Sequence, residues 1–209
     1  MNGLLDILVD LKKSFEGKFL ITEAVKYEVV DRPLLIPRFE LGAIRVQNLI
    51  DEGILELPAS LDLDPETINR ETSRLMNIAN HYIKSKDTWI NIISEGETSC
   101  LALSNELTKI GVLNIIAIDE RTTRILAERP DNLRKIISDK LHTNVKLYLS
   151  NLDEFKNFKF IRSTELVYAA YKKNLLKLNG KKALEAALYA TKFKGSSVSF
   201  EEIEELKKL

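Results

Sequence analysis

Apolar residues in the opening stretch NGLLDILVDLKKSF fall at helical spacing. Leu4, Leu5, Leu8, Leu11 and Phe15 share one face, which predicts a helix over 2–15 that Gly17 stops. Phe19-Leu20-Ile21 reads as a short buried strand. Thr22 suits the N-cap of a helix over Glu23–Val30, and Pro33 is expected to close it. Pro37 starts a longer helix to about Glu52, with Phe39, Ala43, Val46 and Ile50 as its buried stripe and Gly53 at its end. Ile54–Leu57 is a second strand and 58–64 a loop. Pro65 sits at the first position of a helix that runs to about Ile83.

Lys84–Thr88 is a polar connector, and Trp89–Ile93 reads as extended. A helix over 97–109 leads to an apolar strand, Leu113–Ile118, and then to a helix over 120–128. Pro130 begins another helix to about Leu141. Val145–Leu149 reads as a strand and Leu152–Phe158 as a short helix. From Ser163 the pattern is helical over 163–176, 180–193 and 199–208, with breaks at Asn179-Gly180 and Gly195-Ser196. Strands alternate with helices through the first 150 residues, which predicts a parallel α/β sheet followed by an all-helical appendage.

Composition narrows the function classes. Lys+Arg and Asp+Glu both number 31, so the formal net charge is zero, against bulk-charge binding of nucleic acid but not against a local basic patch. Cys100 is the only cysteine, which excludes an internal disulfide; inside an apolar helical run it reads as a small buried hydrophobe. The apolar runs are too short for a membrane span, and the charges in MNGLLDILVDLKK follow the apolar residues, unlike a signal peptide. The expectation is a soluble, cytoplasmic protein. His81 and His142 are isolated and lack metal-ligand spacing. Lys172, Lys173, Lys177, Lys181, Lys182, Lys192 and Lys194, interleaved with Tyr168, Tyr171, Tyr189 and Phe193, read as a solvated face or as an RNA contact.

The candidate chemistry lies between Ser94 and Glu128. Gly96-Glu97 opens a helix, and the strand Leu113–Ile118 ends on Asp119-Glu120-Arg121. Carboxylates at a helix start and at a strand's carboxyl end can face one crevice, and hard divalent cations take such oxygen ligands. GETSCLAL over 96–103 and IDER over 118–121 resemble the PIN-domain nucleases, in particular an archaeal branch with a G-E-x-[SA]-x-L-A-L motif, an apolar strand and D-[DE]-R. TEAVKYE over 22–28 resembles that family's helix with an inward Glu.

The resemblance implies a PIN-like three-layer α/β/α fold with a mainly parallel sheet over 1–150, and a helical C-terminal extension over 151–209 packed on it. It implies hydrolysis of RNA phosphodiesters with Mg²⁺ or Mn²⁺. Glu28, Glu97 and Asp119 would be catalytic, Glu120 would join them as a metal ligand, and Arg121 and Arg124 would touch substrate. RNA is the implied partner; a homodimer and a regulatory protein partner are compatible with it. Two features depart from the family. Ser99 stands where many members carry a second Glu, and the chain begins at Met1-Asn2-Gly3 without the strand ending in Asp that opens the family pattern.

The residues also admit plainer readings. Glu28 reads equally as a solvated helix carboxylate, and Glu97 as an acid favoured by the helix dipole. Asp119 reads equally as the N-cap of the helix over 120–128, and Arg121 and Arg124 as solvated. Glu165 reads as a capping residue behind Ser163 or Thr164. The competing function is that of a non-catalytic binding or regulatory protein.

Overall fold

The N-terminal helices follow their caps. In the computed structural model, which describes residues 4–148, 152–178 and 180–208, α1 spans Leu4–Lys13. Residues 2 and 3 of the expected first helix lie outside the described residues. Ile7 and Leu11 are its buried positions, whereas Phe15 is 52% exposed. Thr22 accepts the Val25 N–H and starts α2, Glu23–Lys26. Pro33 does not close this helix. The helix widens into a π turn over Tyr27–Asp31 and continues as α3, Arg32–Leu34. Proline lacks an N–H, and its ring collides with the carbonyl four residues back; the wide turn relieves that clash at Val29.

Helix α4 covers Pro37–Asp51, with Gly53 at φ +68° just beyond it. Ala43 and Leu49 are its buried residues, and Phe39, expected in the stripe, is half exposed. Asp64 accepts the Glu66 and Thr67 N–H groups to start α5, Pro65–Asn80. Helix α6, Glu95–Lys109, opens with a capping box. Ser94 Oγ accepts the Glu97 N–H at 3.4 Å, and Glu97 Oε2 accepts the Ser94 N–H at 2.8 Å. Helices α5 and α6 pack lengthwise at the centre of the larger core.

The expected three-layer α/β/α arrangement with a mainly parallel sheet does not form. Helix accounts for 62% of the described residues and strand for 6%. The strands expected at Phe19–Ile21 and Ile54–Leu57 meet in one parallel bridge, Leu20 to Glu56. Leu113–Ile118 contracts to β3, Ile116–Ala117, parallel to an unexpected β5, Phe160–Ile161. The other sheet is antiparallel. In it β1, Ile83–Ser85, pairs on one side with β2, Thr88–Trp89, and on the other with β4, Lys146–Leu147. The polar connector over Lys84–Thr88 is thus a hairpin, with Lys86 at φ +52° in its turn. Leu149, the expected end of β4, lies outside the described residues.

The cause is visible in the apolar runs. Leu113 is 94% exposed and Ile115 60%, so half of that run faces solvent rather than two covering layers. A short apolar run fits a buried parallel strand and a loop over a core alike, and only its neighbours decide.

Helix α7 covers Arg121–Glu128. A single 3₁₀ turn at Pro130–Asn132 leads into α8, Leu133–Leu141. The chain ends in α9, Ser163–Lys172, α10, Lys181–Lys192, and α11, Phe200–Leu206. Asn174 at φ +57° ends α9 sooner than the periodicity predicts, and Asn179 lies outside the described residues. The second, smaller core draws on both ends of the chain: Ile7 and Leu11 of α1 pack with Val167, Leu184, Leu188 and Ile203. Among the described residues no helix is long and apolar enough to cross a membrane.

Candidate functional site

The first turn of α6 is fixed to the start of α2 by a hydrogen-bond relay. Ser99 Oγ donates to the Gly96 carbonyl at 2.7 Å, so its contact with Thr22 Oγ1 at 2.6 Å has Thr22 as donor. Thr22 Oγ1 in turn accepts the Val25 N–H. Thr22 and Ser99 are both buried, so each hydroxyl needs such partners. Ser99 completes this tie.

The relay sets Glu28 against α6. From the π turn, its carboxylate lies against Gly96, where a Cβ would stand 2.7 Å from Oε2 and 2.9 Å from Oε1. Glu97 follows at once in the same turn. Burial pushes the Cys100 thiol up to about 11, and the negative charges of Glu28 and Glu97 push it the same way. Both carboxylates thus act on one spot beside α6. Neither forms an ion pair among the described residues.

Glu97 reaches α7 as well. Its Oε2, already bonded to the Ser94 N–H, accepts Thr123 Oγ1–H at 3.3 Å. Glu120 caps α7, accepting the Thr123 N–H at 2.6 Å, so the cap is Glu120 rather than Asp119. Glu97 and Glu120 line one cavity of about 440 Å³. Ile92, Ile93 and Ile137 give it apolar wall, and Lys140 stands among its polar residues.

Asp119 serves elsewhere. Its Oδ1 accepts the Ser163 N–H and the Ser196 hydroxyl, each at 3.0 Å, and its carbonyl accepts Ser197 Oγ–H at 2.6 Å. It therefore ties β3 to the start of α9 and to the loop before α11. Arg121 is exposed at the start of α7. Arg124 donates to Ser197 Oγ at 3.3 Å, and its Nε is buried with no hydrogen-bond partner among the described residues. Glu165 pairs with Arg162 through side chain and backbone, as its capping position suggests.

The structure thus brings Glu97 and Glu120 to one cavity and sets Glu28 beside the same helical turn, while Asp119 faces the C-terminal helices. Among the described residues no three His, Cys, Asp or Glu side chains come together as a metal-holding group. Sequence reasoning missed Ser94 and Lys140. Ser94-x-x-Glu97 carries the capping-box spacing and could have been read; Lys140, on a distant charged helix, has no such signal. No protein-family model, no curated protein and no solved structure matches the chain.

Proposed function

We propose that the chain hydrolyses RNA phosphodiesters with Mg²⁺ or Mn²⁺, using the carboxylates at the starts of α6 and α7. One observation carries this reading: Glu97 and Glu120 line a single cavity, with Glu28 set beside the same first turn of α6. Mg²⁺ keeps several waters and takes one or two carboxylates together with substrate phosphates, which a two-carboxylate wall suits. Glu28, held against Gly96, is not grouped with these two as a third ligand, but its charge beside the same turn favours a cation there. Glu97 and Glu120 would hold a cation there, and it would supply Lewis acidity toward a water and the leaving oxygen. Lys140 and the exposed Arg121 offer positive charge to phosphates. The motif resemblance to PIN nucleases supports the chemistry of this site; Asp119 is given a structural part.

The second reading, a non-catalytic binding or regulatory protein, is favoured by the commitment of Asp119 to Ser163 and Ser196. Labelled RNA incubated with the chain and Mn²⁺ separates the two. Cleavage lost in Glu97→Gln and Glu120→Gln supports hydrolysis at this cavity. Intact RNA across varied sequences, with both variants indistinguishable from the parent, leaves the binding reading.

A further inference from the structure

The small antiparallel sheet carries its own chemistry. Register places Lys84 opposite Trp89 on one side and opposite Lys146 on the other, so the three project from one face. The Tyr148 N–H donates to the Tyr82 carbonyl at 2.8 Å, which continues the register and puts Tyr148 on that face too. Ile83 points the other way and is fully buried in the larger core. The rings pack edge to face: Trp89 lies 4.9 Å from Tyr148 and 5.2 Å from His81 between centroids. Lys84 Nζ sits 5.0 Å above the Trp89 ring. Tyr148 is 40% exposed, and His81, Lys86 and Lys146 are exposed. Lys84, Lys86 and Lys146 form no ion pair among the described residues; Asp87 is the one acid within the β1–β2 hairpin.

We propose that this outward sheet face is a binding platform for single-stranded nucleic acid. Every base offers a π face to an aromatic ring, and each phosphate needs a cation within reach. A sheet face with Trp, Tyr and His rings between unpaired lysines supplies both. Net charge over the whole chain is zero, so the positive character is local, as such a groove requires. Lys84, stacked on Trp89, is held in place to leave that ring for a phosphate when a base arrives. The platform also leads somewhere: Ile90, Asn91 and Ile92, directly after Trp89, line the cavity of Glu97 and Glu120. The inference goes beyond the hydrolytic reading, since binding here needs no metal and no carboxylate.

Trp89 is the only tryptophan in the chain, so its fluorescence reports on this face alone. The experiment titrates the full chain with a uridine decamer in EDTA, by Trp89 fluorescence and by anisotropy of a labelled decamer. Saturable quenching is expected. Affinity should fall at least about fivefold in Tyr148→Ala and Trp89→Ala, and survive in Trp89→Phe, since one base stack is worth that much or more. Lys146→Ala, at an exposed position that cannot unfold the chain, should lower the slope of log affinity against log salt by about 0.7. Absence of binding, equal affinity in Tyr148→Ala and Lys146→Ala, or preference for duplex of the same length each overturns the platform. Because EDTA removes metal from the assay, binding without cleavage keeps the platform and defeats only the hydrolytic reading. Cleavage with binding unchanged in these variants does the reverse.

Discussion

Gly96 is small because Glu28 occupies the space beside it. An alanine Cβ there would meet only the Glu28 carboxylate, the far end of an exposed side chain. Gly96→Ala should therefore cost little, since the carboxylate can swing away and alanine favours helix by up to about 1 kcal/mol. We expect melting at or slightly above the parent temperature, together with Mn²⁺ binding weakened severalfold in calorimetry. Unchanged Mn²⁺ binding would show that the Glu28 charge plays no part in the proposed cation site. Asp119 gives the opposite pattern. Its carboxylate satisfies the Ser163 N–H and the Ser196 hydroxyl, so Asp119→Ala should destabilise by roughly 1–3 kcal/mol through the groups left unpaired. Mn²⁺ binding should be retained. A chain that melts normally but loses Mn²⁺ would place Asp119 in the proposed cation site.

At the level of elements, the α5–α6 pair is stitched by Glu71, which accepts bonds from Arg74 and from Asn105 across the helix interface. The Arg74 guanidinium foremost, then Asn105, hold the Glu71 carboxyl down at about 2 against an ordinary value of 4.5. A carboxyl whose folded value lies below its unfolded one adds stability above 4.5, and that part is lost as pH falls through about 2. Melting curves should show a gap between parent and Glu71→Gln that is full above pH 4.5 and closes toward pH 2. A gap independent of pH would refute this. The helices carrying these contacts were legible: Pro65, the Thr22 cap and the apolar spacing of 97–109 place α2, α5 and α6 within a few residues. The sheet was not. Runs such as Leu113–Ile118 and Val145–Leu149 have strand composition, but pairing partners far along the chain decide how many residues join a ladder. Phe160 and Ile161, the partners of β3, carry no pattern of their own. The site was half legible for the same reason: Glu97 and Glu120 sit at helix starts that local sequence announces, whereas Asp119 was claimed by serines more than forty residues away.

Over the whole molecule, one surface lacks cover. Every residue from Leu34 to Gly42 is exposed, including Leu35 at 83%, Leu41 at 59% and Phe39 at 50%, with Tyr27 at 58% on the adjoining π turn. So many large apolar residues left exposed between Tyr27 and Ile44 mark this stretch as a surface that a second copy of the chain can cover. Arg38 and Glu40 flank Phe39, so a twofold axis can set Arg38 of one protomer against Glu40 of its partner. Sedimentation velocity should show a concentration-dependent dimer, abolished in Leu35→Glu with Phe39→Glu. Monomer at every concentration would count against it. The bearing of this surface depends on the wide turn ahead of Pro33. That turn holds one residue more than an α turn, and each residue advances a helix by about 100°. Thr22 and Ser99 hold the near side of the turn to α6, and the Leu20–Glu56 bridge holds the chain just past α4, so losing Val29 would strain a segment pinned at both ends and shift the bare flank of α4 against it. The extra residue thereby works as a gear tooth, setting the angle at which the exposed flank of α4 stands to the helix that carries Glu28.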